Sequence, residues 1–226
     1  MAITSANQLE LLQTAEAVAR VVSELERDII FGRYLPKQRL YEDEFMVGFS
    51  AKRHVVRAAL VELERRGIVE KLPNRGAAVR YFSRQEVEDL YLLRAILHRE
   101  GALRIRLPPD TVWFDRLREA HEAHCAAFDR RDLLAIFQTN AEFHRILFEG
   151  TGNAYLIEAI AATDAKTHGI RSHGLSVTEL VDGAKLEHAA IIDAIEAGRL
   201  EQLAEICVKH IQPAKQFYLD KFCSNL

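Results

Sequence analysis

A chain of 226 residues, 49% hydrophobic and 28% charged with a net charge of −3, has the make-up of a globular protein that can bury one large core or two modest ones. No apolar run approaches the roughly 20 residues of a membrane span, and residues 1–20 lack the basic segment and apolar block of a secretion signal, so a cytoplasmic protein with no membrane partner is expected. Three scattered cysteines, Cys125, Cys207 and Cys223, argue against a disulfide framework, exclude a cysteine-rich zinc module and are read as reduced thiols.

The first helical pattern runs from Ala15 to Gly32, with Ala15, Val18, Val21, Leu25 and Ile29 on one face. Gly32 suits a left-handed cap and Pro36 stops any continuation. Two short helices follow, about Glu42 to Phe49 and about Lys52 to Gly67, the second turning Val56, Leu60 and Leu63 inward. Residues 68–72 and 77–81 read as paired strands, with Pro73, Asn74, Arg75 and Gly76 supplying the turn chemistry between them. Ser83 with Glu86 three residues on is a capping-box signature. Beyond it the pattern is helical almost throughout, near 84–105, 111–130, 132–150, 153–172, 177–198 and 200–222. The expected fold class is mainly α, with a winged helix-turn-helix over residues 1–82 and an all-α bundle over 83–226.

Charge is distributed unevenly over these halves. Residues 1–82 carry 13 Lys+Arg against 11 Asp+Glu, residues 83–226 carry 17 against 22, and the stretch 52–80 carries eight against three. Local charge is what meets a phosphate backbone. The N-terminal turn of a recognition helix reaches deepest into the major groove, and here it holds Lys52, Arg53 and His54, with Arg57 one turn on from Arg53. An arginine fork can donate to guanine O6 and N7 together. Lys52 suits a phosphate, and a tip of Asn74, Arg75 and Gly76 can bring a cation to the minor groove. The expectation is binding of double-stranded DNA.

Residues 25–80 resemble the winged helix of the GntR family of bacterial transcription regulators. The resemblance rests on Leu25, Ile29, Gly32, Pro36, Arg39-Leu40, Arg53, Val56-Arg57, Ala59-Leu60, Gly67-Ile68-Val69, Arg75-Gly76 and Val79. Lys52 stands where Ser or Thr is usual, His54 for Thr, Val55 for Pro and Ala58 for Glu. It implies a homodimer on a palindromic operator, more often as a repressor.

Eight of the nine histidines lie after residue 97. Asn140 and His144 share a helix face one turn apart. Gly198 turns two helices antiparallel, bringing His188 and His210 to similar height, and helical bundles build metal sites in this way. Spacing alone fits separately satisfied histidines as well as a metal site. Residues 84–222 also resemble the FCD ligand-sensing domain found in the FadR branch of the GntR regulators, through Asn140, Phe143-His144, Asn153, Glu187-His188, Ala194-Ile195, Gly198, Ala204 and His210. That resemblance implies a divalent metal, Zn or Ni before others, held by Asn140, His144, His188 and His210, with Asn140 replacing a common Asp. It also implies that Arg94 grips the carboxylate of a small organic-acid effector, with His98, one turn on, in place of a frequent Glu. Arg171 and His173 fit an effector-facing position and an exposed one equally well. His121, His124 and Cys125 give at most a partial ligand set and are read as surface or packing residues. The alternative is a metal-dependent hydrolase with a DNA-binding-like N-terminal domain, against which stands the lack of a general base beside the histidines, such as an HExxH glutamate.

Overall fold

A computed structural model describes residues 2–72, 76–175 and 177–224, with side chains from residue 12 onward. It divides the chain into two compact units, Met1–Tyr81 and Phe82–Leu226.

The first unit opens with α1 (Ala2–Ile30), which begins well before the amphipathic pattern at Ala15. It ends in a Schellman turn: Gly32 takes φ +72°, its N–H donates to Ile29 O and that of Arg33 to Asp28 O. A short strand β1 (Arg39–Leu40) leads into α2 (Glu42–Gly48) and α3 (Arg53–Arg65), then β2 (Val69–Leu72) and β3 (Gly76–Val79). The sheet is antiparallel in the order β1-β3-β2. Two strands were expected; β1 is the third, pairing Arg39 with Ala78 and Leu40 with Ala77. Val21, Leu25 and Ile29 of α1, Phe45 of α2 and Val56, Leu60 and Leu63 of α3 close one core with Leu40, Val69 and Val79 of the sheet. That core fixes the pitch of α3 and leaves its opposite face to solvent.

The second unit is all-helical among its described residues: α4 (Arg84–Leu103), α5 (Thr111–Asp129), α6 (Leu133–Glu149), α7 (Ala154–Lys166), α8 (His168–Ser172), α9 (Thr178–Glu196), α10 (Leu200–His210) and α11 (Gln212–Phe222). Ser83 and Glu86 close the expected capping box on α4. The span expected as one helix over 153–172 is broken at Thr167 into α7 and α8. Residues 200–222 likewise break at Ile211, because Pro213 has no N–H to continue α10 and instead occupies the first turn of α11. The Gln212 side-chain amide donates to the Val208 carbonyl at 3.1 Å across this break. Pairing of α5 with α6, of α10 with α4 and α9, and of α7 with α4 encloses a core that includes Leu117, Phe143, Leu147, Ile191, Ile195 and Leu203.

The single tryptophan, Trp113, seals one end of that core, its indole N–H donating to Ile146 O at 2.6 Å. A Cβ on Gly150 would clash with the indole ring. Gly150→Ala is therefore expected to destabilise the protein by about 1–3 kcal/mol, read as a lower urea midpoint followed by tryptophan emission. An unchanged midpoint would contradict the packing described.

Candidate functional site

The turn between α2 and α3 presents the first turn of α3 to solvent. Lys52 occupies its N-cap position and makes no side-chain cap bond, while Lys52, Arg53, His54 and Arg57 are all exposed. The side chains of Arg53 and Arg57 are 48% and 61% exposed. One residue of α2 holds both: Glu42 accepts from Arg57 Nε at 2.9 and 3.0 Å and from Arg53 Nη1 at 3.3 Å. Asp43 accepts from Arg53 Nη2 at 2.5 Å. Exposed pairs of this kind contribute roughly 0.2–1 kcal/mol, so they orient the two guanidiniums without preventing exchange for a base edge or phosphate. Gly76 is exposed at the start of β3 with φ +80°. Asn74 and Arg75 lie outside the described residues. Arg65 and Arg66, at the far end of α3, are engaged by Glu62, and Arg66 also by Glu26 of α1 at 2.9 Å.

In the second unit α6, α9 and α10 bring His144, His188 and His210 together, with one nitrogen of each within 4.8 Å of the others. His144 Nε2 lies 2.9 Å from His210 Nε2. The Nδ1–H of His210 donates to Glu187 Oε2 at 2.9 Å, which leaves Nε2 facing the cluster. Both nitrogens of His188 and Nδ1 of His144 are buried without a hydrogen-bond partner among the described residues. Burial first, then the neighbouring His210, hold His144 and His188 well below their ordinary range, so both are neutral imidazoles at pH 7. Neutral, buried imidazoles of His144 and His188, each with an unpartnered nitrogen among the described residues, together with His210 beside them, fit a divalent cation.

A cavity of about 160 Å³ adjoins the cluster and is lined by Asn140, Glu187 and His210 and also by Arg94 and Arg171. Arg94 is almost wholly buried and donates from Nε to Asp164 Oδ1 at 2.6 Å. His98 donates to the same oxygen at 3.0 Å; it is buried against Phe148 and is not among the residues lining the cavity. Burial alone would raise the Asp164 carboxyl, but Arg94 and then His98 hold it well below the usual carboxylate range. Sequence reasoning missed Asp164 and the partnership of Glu187 with His210, since neither contact leaves a local pattern. Of the group set aside as surface or packing residues, His124 is fully buried, its ring centroid 5.0 Å from that of His188, while Cys125 is partly buried with Sγ 3.7 Å from His121 Nε2. Thr139 spends its hydroxyl proton on the Ala135 carbonyl, so its oxygen accepts from His124 Nδ1 and the His124 Nε2 carries a bare lone pair.

A helix-turn-helix with an arginine-bearing second helix and a wing, followed in one chain by a helical unit with a polar-ended cavity, defines a transcription regulator. Residues 17–79 match the bacterial regulatory proteins of the gntR family, and residues 89–213 match the FCD domain. The chain belongs to the GntR family, among its members that carry an FCD domain, and these are regulators rather than enzymes. Similar curated proteins include the HTH-type transcriptional regulator YdhC of Bacillus subtilis (strain 168), 20% identical over 83% of this chain and 84% of that protein. The HTH-type transcriptional repressor RspR of Escherichia coli (strain K12) is 22% identical over 83% and 82%. Among solved structures, a GntR transcriptional regulator from Rhodococcus sp. RHA1 has the same fold at a TM-score of 0.69 and 20% identity, covering 91% of this chain and 98% of its own. McbR/YncC of E. coli gives a TM-score of 0.69 at 14% identity over the same shares.

Burial also pushes His124 and His173 down to about 4 from an ordinary 6.5. The folded protein keeps these rings neutral, whereas the unfolded chain takes up protons below pH 6.5. Their contribution to stability is therefore complete above pH 6.5 and lost as pH falls toward 4. For the metal-free protein, unfolding free energy is expected to drop by about 1.4 kcal/mol per pH unit for each such histidine across that window. Urea midpoints that stay level from pH 7 to 5 would show that these rings are not buried neutral.

Proposed function

We propose that this protein is a cytoplasmic, homodimeric repressor whose hold on a palindromic operator is set by a small organic acid bound beside a divalent metal in the C-terminal unit. The observation that carries the DNA-reading part is the exposed pair Arg53 and Arg57 at the start of α3, oriented by Glu42. Arg53 and Arg57 read base edges in the major groove, Lys52 and His54 contact the backbone, and Gly76 lets the wing, with Asn74 and Arg75, approach the minor groove. A two-fold protein matches a two-fold operator. Leu92, Leu93 and Ile96 stand exposed along α4, an apolar stripe that a second copy can cover. The name of the relative RspR supports repression.

His144, His188 and His210 hold the metal, with Asn140 as a neutral oxygen donor and Glu187 fixing His210. When bound, the metal would supply positive charge beside the cavity that favours an anionic ligand, Zn or Ni being suited to imidazole donors. Arg94 and Arg171 supply the cationic part of the cavity wall, and His98 acts only through Asp164, on which it and Arg94 converge. A ligand changes DNA affinity only by preferring one dimer geometry over another, and a tenfold change needs about 1.4 kcal/mol of such preference.

On an operator recovered by selection from random DNA, Arg57→Ala is expected to weaken specific binding by about tenfold or more while changing nonspecific binding far less. Gel shifts at fixed salt measure both. If Arg53→Ala and Arg57→Ala each leave operator affinity intact, another element reads the sequence.

A further inference from the structure

Two guanidiniums line the cavity, yet the nearest carboxylate serves one of them. Asp164 receives Arg94 and His98 on the same oxygen, Oδ1. Arg171 reaches no closer than the Asp164 backbone carbonyl, at 3.4 Å, and its buried Nε has no hydrogen-bond partner among the described residues. Glu187, on the cavity wall, is engaged by His210, and Glu179 stands on an exposed position at the start of α9. Burial first, then the charge of Arg94, lower Arg171 to about 10, which still leaves it cationic at neutral pH. A buried cation with unused N–H donors is costly, and the partner that best matches its planar fork is a carboxylate taking two parallel bonds.

Beyond the polar atoms of Asn140, His124, Glu187 and His210, the rest of the lining is of a different character. Ile136, Phe137 and Val181 line the cavity beside the guanidinium, and the Phe137 ring centroid lies 5.3 Å from the Arg171 Cζ. These side chains offer no hydrogen-bond partner, so a ligand hydroxyl pressed against them would be stripped of water and left unpaired. The volume of about 160 Å³ is close to that of an apolar void of about 150 Å³ that admits benzene.

We infer that the cavity receives a monocarboxylate whose body is hydrocarbon about the size of one six-membered ring, its carboxylate seated on Arg171 rather than on Arg94. This rests on the proposed reading of the cavity as an effector site and narrows the acid to a class. Arg94 belongs to the wall, neutralising Asp164, and Arg171 is the anion receptor. Acids carrying several hydroxyls, such as gluconate, are disfavoured because Ile136, Phe137 and Val181 leave part of a ligand's body without a hydrogen-bond partner.

Calorimetric titration of the full chain with benzoate, benzamide and gluconate tests this. Benzoate binds; benzamide, equal in shape but uncharged, and gluconate, charged but hydroxylated, each bind at least about tenfold more weakly. In Arg171→Gln the preference for benzoate over benzamide shrinks to within about twofold, and Ala184→Phe, filling the cavity from α9, removes the benzoate heat. Benzamide binding as tightly as benzoate, or Arg171→Gln keeping the full preference, overturns the assignment of Arg171. The wild-type comparison stands even if either variant folds poorly. Gluconate or citrate binding where benzoate is silent overturns the hydrocarbon class while leaving the sensing role intact. Silence of every acid, with operator affinity unmoved by any of them, removes both.

Discussion

Three imidazoles buried against one another, with more nitrogen atoms than hydrogen-bond partners, are the constraint on which the C-terminal unit depends. His188 has two such nitrogens and His144 one among the described residues. Each is a polar atom denied water, which a fold tolerates only where packing forces it or a ligand repays it. The geometry that brings them together is specified at a distance. α9 and α10 must fold back on each other, which Gly198 permits by taking φ +68° while Arg199 N–H donates to Ala194 O. α6 must then present His144 into the angle between them. Glu187 completes the arrangement by fixing which nitrogen of His210 faces inward.

The N-terminal unit solves the opposite problem. Its functional charges stay in water, where pairing with Glu42 and Asp43 is weak and easily exchanged. The core beneath α3 is apolar and continuous from α1 to the sheet, so it sets the helix rigidly and leaves its arginines as adjustable tips. Rigid placement with cheap side-chain exchange is what reading a duplex requires, because specificity comes from differences between base contacts rather than from total affinity.

What could be read from residues alone follows the range of the interaction. Gly32 and the Ser83–Glu86 pair are local devices, and both appear where the sequence puts them. The 3.6-residue pattern likewise placed Val56, Leu60 and Leu63 in the core. β1 escaped because two residues carry no periodicity; it exists only by pairing with β3. The break at Pro213 was legible in principle, since proline inside a helix loses a bond, but the apolar spacing on both sides of it runs on unbroken. Asp164 had no signal at all: its partners Arg94 and His98 are 70 and 66 residues away and meet it only through packing of α4 on α7. The same holds for His124, whose place beside His188 depends on the packing of α5 against α9.

The proposed metal centre is the point at which the buried imidazoles acquire a purpose, and thermal unfolding of the full chain measures it directly. A cation that binds the folded and not the unfolded chain raises stability with its concentration. In Zn²⁺ or Ni²⁺ at about a hundredfold excess over Kd, the unfolding temperature of the wild type is expected to exceed that in chelator by about 5–10 °C, with the difference lost in His188→Ala. Equal unfolding temperatures of the wild type in metal and in chelator would contradict the account, leaving the three histidines as buried packing residues.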